Sequence, residues 1–429
     1  MPTMPPFFSD RHALEHHQQT RLHAMLGRLA ADNAFYRERV NAFLARFPEM
    51  GLADFRRAFP FTFKRDLVAD QQAFPPYGRN TTEPAHHYTR YCQTSGTTGA
   101  PLRLLDTPGS WDWMLSHWLR VYDAAGVRGG ERIFFAFGFG PFLGFWTAFE
   151  AAQAGGNLCI PGGALNSLGR LQAMAANQTT VLCCTPTYAL RLGEVAAQND
   201  FDLDSIPLKV IIVAGEPGGA IPATRRAMRQ FWRGARVVDH YGMTEIGPAG
   251  YESPHVEGLM HIIESDYLVE VIDPVTEAPA SAGERGELVL TTLGREAAPV
   301  LRYRTGDLVQ LQAPEPHWQT IEWGFPCGIL GRADDMVVVR GVNMYPAAVE
   351  AVVRRFAVVA EYRVLLEERD AMTEMRLQVE PTDNAEGDWV ESLGEALKAE
   401  FALRIPIEVV AKGTLPRFEL KAKRWTRMG

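Results

Sequence analysis

Residues 93–101 read Gln-Thr-Ser-Gly-Thr-Thr-Gly-Ala-Pro, and the rest of the chain is interpreted outward from this stretch. From Thr94 to Gly99 every residue is a hydroxyl residue or Gly, a composition that makes a poor core, helix or strand. Such a loop can surround phosphate oxygens with backbone N–H groups and hydroxyls. No Gly-Lys-Ser/Thr sequence follows, so it differs from the mononucleotide loop that carries its own phosphate-binding lysine. The structural alternative is a Ser/Thr/Gly-rich surface turn.

The composition is that of a large globular protein. A chain of 429 residues, 46% hydrophobic and 22% charged, is long enough for two or three domains. Its net charge of -8 gives no reason to expect non-specific binding of nucleic acid or anionic membranes. The five cysteines are scattered and odd in number, which favours a reducing compartment over a disulfide framework. The sequence lacks a secretory signal and any apolar stretch of the ~18–20 residues that span a membrane. We therefore expect a cytoplasmic protein.

The hydrophobic pattern predicts N-terminal helices followed by alternating strands and helices. Apolar spacing predicts helical structure from residue 11 to about 47, a short helix capped near Thr62, and an amphipathic helix over 111–121. A buried strand is predicted from Ile133, and further short apolar runs predict strands at 158–161, 181–184, 210–213 and 237–238. This βαβ order indicates a parallel sheet with helices on both faces, with ligands at the carboxyl ends of its strands.

Loops with unusual residues leave these predicted strand ends. They are the segments Thr185–Tyr188, Ala214–Pro217 and His240–Glu245. The Phe- and Gly-rich segment after the first strand must also end in a loop, although most of its Phe residues are expected in the core.

The predicted secondary structure changes in the last third of the chain. Alternating strands with turn signals from about Ile262 to Leu311 predict a small, mostly antiparallel subdomain, and residues 313–326 are expected to form a loop. Charged, loop-forming residues near 333 suggest a hinge, and the remainder reads as a small mixture of strands and helices.

In their order, these motifs resemble those of the acyl-adenylate-forming superfamily. The shared segments include Arg302–Asp307, with the Tyr-Arg-Thr-Gly-Asp pattern, and Leu415–Arg424, similar to the family's terminal lysine loop. The pattern Pro-Phe-Thr-x-Lys-x-Asp-Leu over 60–67 narrows the resemblance to the phenylacetate–CoA ligase branch. The resemblance implies an α/β fold with a large N-terminal adenylation domain, residues 1–332. It has parallel sheets flanked by helices and a small β subdomain. Residues 333–429 are implied to form a mobile α+β lid.

The same resemblance implies a two-step reaction. A carboxylate attacks the α-phosphorus of ATP to give an acyl-adenylate and pyrophosphate. The lid then rotates, and a thiol, normally coenzyme A, displaces AMP. Positioning and charge neutralisation supply most of the rate, because a carboxylate is a poor nucleophile towards a polyanion. The implied cofactors are ATP, Mg²⁺ and coenzyme A, the implied substrate is a small aromatic carboxylic acid, and a homodimer would agree with the family.

One set of residues is implied to bind the nucleotide. The loop residues Ser95, Gly96, Thr97, Thr98 and Gly99 would hold the β- and γ-phosphates. The adenine would be enclosed by Gly215, Glu216, Pro217, Asp239 and Tyr241. The remaining nucleotide-binding positions are Ala214, His240, Gly242, Met243 and Arg332. Asp307 would accept both ribose hydroxyls, and Glu245 would coordinate Mg²⁺.

A second set is implied to act on the reacting groups. Thr244 would donate to the α-phosphate, and Lys421 would bridge the substrate carboxylate and the phosphate. Asp334 would be the hinge. After rotation, the residues facing the site would be Arg340, Gly341 and Asn343. An aromatic acid stacks on aromatic walls, and the expected pocket residues are Phe139, Gly140, Phe142, Tyr188, Gly215 and His240.

Structural alternatives remain open for three of these residues. Asp307 could be a turn residue after Gly306, Glu245 could be a carboxylate at a helix start, and Lys421 could be a solvated terminal lysine. Leu420 departs from the family, which has Gly before the lysine, because Leu disfavours the positive φ that Gly permits. Some relatives also hold zinc, but the candidates here are too poor a ligand set, so no zinc is expected; they are Ser253, His255, His261 and Cys327.

Three hypotheses follow. The leading one is an aryl-acid–CoA ligase. The second is an adenylating enzyme that passes its acyl group to a carrier-protein thiol or an amine. The third is a non-catalytic nucleotide-binding homologue, which Leu420 keeps open.

Overall fold

The computed structural model describes residues 2–94, 100–340, 342–369, 372–382, 385–418 and 423–428. Its helices are α1 (Arg11–Asp32), α2 (Arg37–Arg46), α3 (Leu52–Ala58), α4 (Lys64–Ala73), α5 (Pro108–Ala124), α6 (Leu143–Ala154), α7 (Ser167–Ala176), α8 (Pro186–Gln198), α9 (Pro222–Phe231), α10 (Pro346–Val353) and α11 (Trp389–Phe401).

The strands follow the same chain order. They are β1 (Arg90–Gln93), β2 (Arg103–Asp106), β3 (Arg132–Phe135), β4 (Leu158–Pro161), β5 (Val181–Cys184), β6 (Val210–Ala214), β7 (Arg236–Met243), β8 (Gly247–Glu252), β9 (Leu259–Ile262), β10 (Tyr267–Ile272), β11 (Arg285–Thr292), β12 (Tyr303–Gln310), β13 (Gly324–Pro326), β14 (Gly331–Arg332), β15 (Val337–Val339), β16 (Val342–Met344), β17 (Val359–Arg369), β18 (Met372–Pro381), β19 (Ile407–Val409) and β20 (Trp425–Arg427).

The N-terminal region is helical as predicted, and it is divided into two helices, α1 and α2. Asn33 ends α1, and its side-chain oxygen accepts hydrogen bonds from the backbone N–H groups of Phe35 and Tyr36. Because these bonds favour a turn over a continued helix, the chain redirects into α2. The apolar faces of α1, α2 and α3 pack together with Leu268 and Leu301 of the later sheet region.

The core of the large domain is an eight-stranded sheet in the order β13–β9–β8–β7–β6–β5–β3–β4. The five strands β4, β3, β5, β6 and β7 are parallel, as predicted. The other three are antiparallel, because a tight turn after β7 returns the chain alongside it as β8. The sheet is therefore mixed, and β13 lies within the segment 313–326 that was expected to be a loop.

Helices cover both faces of this sheet. Ile133 and Phe135 of β3 belong to the core that contains α5 and α6, whereas Phe134 belongs to the core of α7, α8 and α9. All three side chains are fully buried. A strand that is apolar on both faces is expected inside a parallel sheet, so the prediction from the continuous apolar run at Ile133 is confirmed.

A second sheet forms the predicted antiparallel subdomain, in the order β10–β11–β12–β14. It begins at Tyr267, since Leu259–Ile262 pairs with β8 in the large sheet. Its last strand, β14, ends at Arg332, beside the residues predicted to form the hinge.

The C-terminal part has its own sheet and core. Its strands run in the order β19–β18–β17–β20, with β17 and β18 antiparallel and both outer strands parallel to their neighbours. Side chains from Val339 to Phe401, including those of α10 and α11, form a separate hydrophobic cluster. This α+β arrangement matches the fold expected for the lid. Among the described helices, none combines the length and apolar character that crossing a bilayer requires.

Candidate active site

Tyr241 and Asp307 connect the two sheets of the large domain. The Tyr241 hydroxyl in β7 donates a hydrogen bond to Asp307 Oδ2 in β12 at 2.7 Å. Arg332 Nη1 lies 3.3 Å from the other carboxylate oxygen, Oδ1. Burial raises the pKa of Asp307 to about 6, although Arg332 and Tyr241 oppose the shift. Asp307 is a strand residue, so its alternative interpretation as a turn residue is wrong.

Glu245 lies in the tight turn between β7 and β8, and the alternative that it begins a helix is also wrong. Its side chain is almost entirely enclosed, with a residue exposure of 2%. Glu245 Oε1 accepts a hydrogen bond from the Tyr303 hydroxyl at 3.3 Å and lies 3.0 Å from Lys64 Nζ. This buried carboxylate therefore has one cation beside it.

The buried side chain of Arg295 stabilises the turn that contains Glu245. Arg295 donates from Nη1 to the carbonyl oxygen of Thr244 at 2.6 Å. Its other nitrogens pair with both oxygens of Asp106, at 2.8 and 2.6 Å, and neither side chain is exposed. Because both charges are fully paired, this arginine can fix the turn without leaving an uncompensated charge.

No function was predicted for Lys64 from the sequence, although it lies in the motif over 60–67. The preceding Thr62 explains its position. Thr62 N donates to the carbonyl oxygen of Arg302 at 3.0 Å, and Thr62 Oγ1 donates to that of Leu301 at 2.7 Å. These bonds join the segment to the start of β12, so α4 begins beside Glu245. The helix was predicted to be capped near Thr62, and its N-cap residue is the adjacent Phe63.

The segments after β5 and β6 contact each other, and Thr185–Tyr188, which the sequence placed in a loop, begins α8 with Thr185 as its N-cap residue. Glu216 Oε1 accepts a hydrogen bond from the backbone N–H of Thr187 at 2.8 Å. Burial raises the pKa of Glu216, an effect that the bonds from Thr187 oppose. Ala214 is the last residue of β6, and Gly215 has a φ of +95°, which glycine adopts without strain. The loop Gly215–Pro217 is thereby fixed at the strand end.

Residues His240–Met243 belong to β7, whereas the sequence placed them in a loop. Their pairing with β8, with His240 opposite Tyr251, extends the strand. His240 Nδ1 donates to the carbonyl oxygen of Gly250 at 2.7 Å, and its ring lies 4.2 Å from that of Trp118. Burial lowers the pKa of His240 to about 4, which leaves a neutral imidazole.

Asp239 is a second buried carboxyl group in β7. Burial and the neighbouring Glu252 raise its pKa to about 8, so it holds a proton at neutral pH. A Cβ atom on Gly219 would lie 2.3 Å from Asp239 Oδ1, so only glycine leaves room for this carboxyl. Glu252 is itself paired with the buried Arg225, with Oε2 2.6 Å from Nη2.

The aromatic segment after β3 forms a wall of rings. The half-buried Phe139 lies 4.9 Å from Trp146 and 5.3 Å from Phe149, measured between ring centroids. Trp146 Nε1 donates to the carbonyl oxygen of Gly140 at 2.9 Å, and Phe142 is exposed. Tyr188 lies in the core of the helical layer with 1% exposure, its hydroxyl 3.0 Å from Ser167 Oγ.

The remaining predicted residues lie at or beyond the predicted hinge. Arg332 Nε lies 2.7 Å from Oδ1 of the exposed Asp334. Arg340 pairs with Glu374 of β18, with Nε 2.7 Å from Oε1, and Asn343 belongs to β16. Several predicted residues lie outside the part of the chain that the structure describes: Ser95, Gly96, Thr97, Thr98, Gly99, Gly341 and Lys421.

No group of three or more His, Cys, Asp or Glu side chains with the closeness of a metal site occurs among the described residues. Glu245 is a single buried carboxylate whose partners are a lysine and a tyrosine. Such a lone oxygen donor suits Mg²⁺, which binds one or two carboxylates and completes its shell with water and phosphate oxygens.

Comparison with known proteins identifies the family. Residues 55–294 match the AMP-binding enzyme family, and residues 341–427 match the AMP-binding enzyme C-terminal domain. The chain is 30% identical to phenylacetate-coenzyme A ligase of Pseudomonas putida over 96% of this chain and 93% of that protein. It is 33% identical to the phenylacetate-coenzyme A ligase of Thermus thermophilus, over 78% of this chain and 73% of that one.

A solved structure gives the same result for the fold. The chain is 25% identical to 2-hydroxyisobutyryl-CoA ligase in the postadenylation state in complex with R3-HIB-AMP. The TM-score is 0.91 over 98% of this chain and 90% of that one. Against the same ligase with 2-HIB-AMP and CoA in the thioesterification state, the TM-score is 0.73. The chain belongs to the AMP-binding enzyme family, in the phenylacetate–coenzyme A ligase branch of the acyl-adenylate-forming enzymes.

Proposed function

We propose that the protein activates an aromatic carboxylic acid with ATP and transfers the acyl group to coenzyme A. The observation that carries this proposal is the convergence of Lys64, Glu245 and Asp307 at one edge of the large domain, through the contacts with Tyr303 and Tyr241. The family relation supplies the reaction class, and the phenylacetate-coenzyme A ligases supply the substrate class.

In the proposed complex, Asp307 accepts hydrogen bonds from the ribose hydroxyls. Its two oxygens already contact Tyr241 and Arg332, and each ionised oxygen retains lone-pair capacity for a further donor. The polar contacts orient the carboxylate before the nucleotide binds. The adenine is proposed to lie along the loop Gly215–Pro217, whose end is fixed by the bond between Thr187 and Glu216.

The phosphates are proposed to lie between the loop Ser95–Gly99 and Glu245. A bound Mg²⁺ would neutralise part of their negative charge, and Glu245 is the described residue that would hold it. Lys64 is a second positive charge at the same place. Thr244 is proposed to donate to the α-phosphate, and its carbonyl is already fixed by Arg295.

The first chemical step is attack by a carboxylate oxygen of the acid on the α-phosphorus. An O–P bond forms, the bond to the bridging oxygen breaks, and pyrophosphate leaves. Lys421 is proposed to hold the acid and the α-phosphate together while negative charge shifts towards the leaving group. In the second step the thiol of coenzyme A loses its proton and attacks the acyl carbon, and AMP leaves with the bonding electron pair.

The acid is proposed to bind against Phe139, Gly140 and Phe142, with His240 and Gly215 on the nucleotide side. The neutral His240 can offer an apolar ring face without a buried positive charge. Tyr188, predicted as a further pocket residue, lies instead in the core with α7, α8 and α9, where its hydroxyl is bonded to Ser167.

We also propose that the domain boundary lies at residue 333, with residues 1–332 as the adenylation domain and 333–429 as the lid. Asp334 would act as the hinge, and rotation would bring Arg340, Gly341 and Asn343 to the active site.

The five free cysteines agree with a reducing cytoplasm. Homodimer formation stays a prediction.

The test is a pyrophosphate-release screen over benzoates, phenylacetates, indole acids and heteroaromatic acids, with and without coenzyme A. We expect acid-dependent pyrophosphate release for at least one aromatic acid and coenzyme A-dependent AMP formation with the same acid. Pyrophosphate release without a response to coenzyme A would instead indicate transfer to a carrier-protein thiol or an amine. Binding of ATP without acid-dependent turnover would indicate a non-catalytic homologue.

A further inference from the structure

We propose that Glu194 is a positioning residue for acyl-adenylate formation, because its ion pair with Arg417 holds the segment that leads into Lys421 against the large domain. This inference rests on the proposed function, and it adds a role for a helix residue outside the nucleotide-binding loops.

Arg417 is first of all fixed within the lid. It pairs with both oxygens of Glu380 in β18, and its Nη1 lies 3.2 Å from Glu380 Oε2. Glu380 is fully buried and also accepts hydrogen bonds from the backbone N–H groups of Gly413, at 2.8 Å, and Leu415, at 3.1 Å. The same carboxylate therefore orders the backbone and the arginine of the segment 413–417. A bidentate pair of this kind fixes direction as well as distance.

The remaining nitrogen of Arg417 reaches the large domain. Arg417 Nε lies 3.5 Å from Glu194 Oε2, on α8, while Arg191 Nη1 of the same helix donates to that oxygen at 3.2 Å. The side chains of Arg417 and Glu194 are only 21% and 24% exposed, so water screens this pair less than a surface pair. Burial raises the pKa of Glu194, and Arg417 and Arg191 oppose that shift.

Among the described residues, the neighbouring Arg424 makes no equivalent ion pair with the large domain. Arg424 is turned towards its own domain, with Nε 2.7 Å from Glu361 Oε1 and Nη1 3.3 Å from Glu350 Oε1. Arg417 thus differs from Arg424 in pairing on both sides of the interface.

The contact belongs to one arrangement of the two domains. The TM-score is 0.91 against 2-hydroxyisobutyryl-CoA ligase in the postadenylation state and 0.73 against its thioesterification state. The ion pair is therefore seen in an arrangement closer to the postadenylation state, in which that ligase holds the acyl-adenylate, than to the thioesterification state. Lys421 follows Arg417 by four residues in the sequence, and misplacement of a reacting group by about 1 Å can cost on the order of 100-fold in rate.

The test measures the two half-reactions separately in wild-type protein and in Glu194→Gln, which removes the charge but keeps the side-chain volume. Adenylation is followed by acid-dependent exchange of labelled pyrophosphate into ATP. Thioester formation is followed by adding chemically prepared acyl-adenylate and coenzyme A. The matched control is Glu257→Gln, which breaks the exposed ion pair with Arg229 on α9.

We expect Glu194→Gln to reduce the exchange rate by about tenfold, since loss of ~1.4 kcal/mol of positioning corresponds to that factor. Thioester formation from the supplied adenylate should change by less than about twofold, and Glu257→Gln should leave both rates unchanged. Equal losses in both half-reactions, or no loss in either, would overturn the inference.

A second readout needs no turnover. We expect limited digestion with trypsin to cut Glu194→Gln within residues 332–340, between the two domains, several times faster than wild type and Glu257→Gln. Equal cleavage rates would overturn the inference. A wild-type protein without acid-dependent exchange would contradict the proposed function, whereas this cleavage difference tests the Glu194–Arg417 contact by itself.

Discussion

Lys64 Nζ lies 3.0 Å from Glu245 Oε1, which joins the start of α4 to the turn after β7. The Gly- and Thr-rich stretch over 94–99 contains no lysine, so a cation beside the proposed phosphate site comes from another part of the chain. Thr62 maintains this arrangement through its bonds to the backbone at the start of β12. The motif over 60–67 therefore places a lysine beside Glu245, a charge that the stretch over 94–99 does not contain.

Replacing Lys64 with Met should lower kcat/KM for ATP by about tenfold, since a positive charge beside developing phosphate charge is removed. Lys209→Met is the matched control. Lys209 forms a similar pair, with Nζ 2.9 Å from Glu131 Oε1, at the opposite end of the parallel strands. Steady-state kinetics with ATP as the varied substrate give the comparison. Equal effects of the two substitutions would show that Lys64 has no special role at the nucleotide.

The ionisation of Asp307 predicts a pH dependence of ATP binding. Burial raises its pKa to about 6, and the carboxylate accepts the ribose hydroxyls best when ionised. As the pH falls below 6, the ionised fraction drops, so KM for ATP should rise, by up to about tenfold per pH unit. The measurement is KM for ATP between pH 5 and 8 at a saturating concentration of the acid.

Arg332→Gln provides the sharper version of this experiment. Arg332 lowers the pKa of Asp307, so its removal should move the midpoint of the profile to higher pH. A flat wild-type profile, or a midpoint that moves to lower pH in the variant, would argue against Asp307 as the ribose acceptor.

Asp239 predicts a different effect, on stability. Its pKa is about 8 in the folded protein, against an ordinary value near 3.8. The folded state thus binds the proton more tightly, and stability from this residue falls as the pH rises from about 4 to 8. Asp239→Asn should melt a few degrees above wild type at pH 8.5, and the difference should shrink towards pH 5.

Asp273→Asn is the control for that prediction. Hydrogen bonds from the backbone of Thr276 and Val275 lower the pKa of this exposed carboxyl group. Its stabilising effect is present above the unfolded pKa and is lost only at acidic pH, so the melting difference from wild type should stay constant between pH 5 and 8.5. A constant difference for Asp239→Asn as well would mean that Asp239 is ionised throughout.

The parallel part of the fold could be predicted from local sequence. The predicted strands over 158–161 and 181–184 coincide with β4 and β5, because short apolar runs between polar turns leave little freedom in where a strand begins and ends. The return of the chain after β7 was missed, because it depends on antiparallel pairing with β8, which no local pattern specifies. Likewise, Asn33 fits a helical pattern locally, and only its hydrogen bonds to the following backbone end α1.

Sequence motifs selected candidate site residues, whereas the tertiary contacts around those residues could not be predicted. Glu245 and Asp307 were selected as functional residues, and the structure surrounds both with polar partners. Lys64 received no role, since a lysine at a helix start is usually solvated. Its only signal was its place in the motif beside Thr62, and the hydrogen bonds of Thr62 to a distant strand became visible only in three dimensions.

The aromatic wall predicts how the acid is recognised. Phe139→Ala should raise KM for the aromatic acid by about tenfold, because an aromatic surface that contacts the acid is lost, and should leave KM for ATP nearly unchanged. Phe201→Ala is the control, since Phe201 packs in the layer of α7, α8 and α9. A rise in KM for ATP as large as that for the acid would place Phe139 outside the acid pocket.

The central claim is that the acid is activated on the α-phosphorus of ATP before its transfer to coenzyme A. The measurement is exchange of labelled pyrophosphate into ATP by wild-type protein in the presence of phenylacetate or another aromatic acid, first without and then with coenzyme A. We predict exchange that requires the acid and Mg²⁺, and stoichiometric formation of AMP and thioester once coenzyme A is added. Formation of ADP and phosphate in place of AMP and pyrophosphate, or exchange that is independent of any acid, would contradict the account.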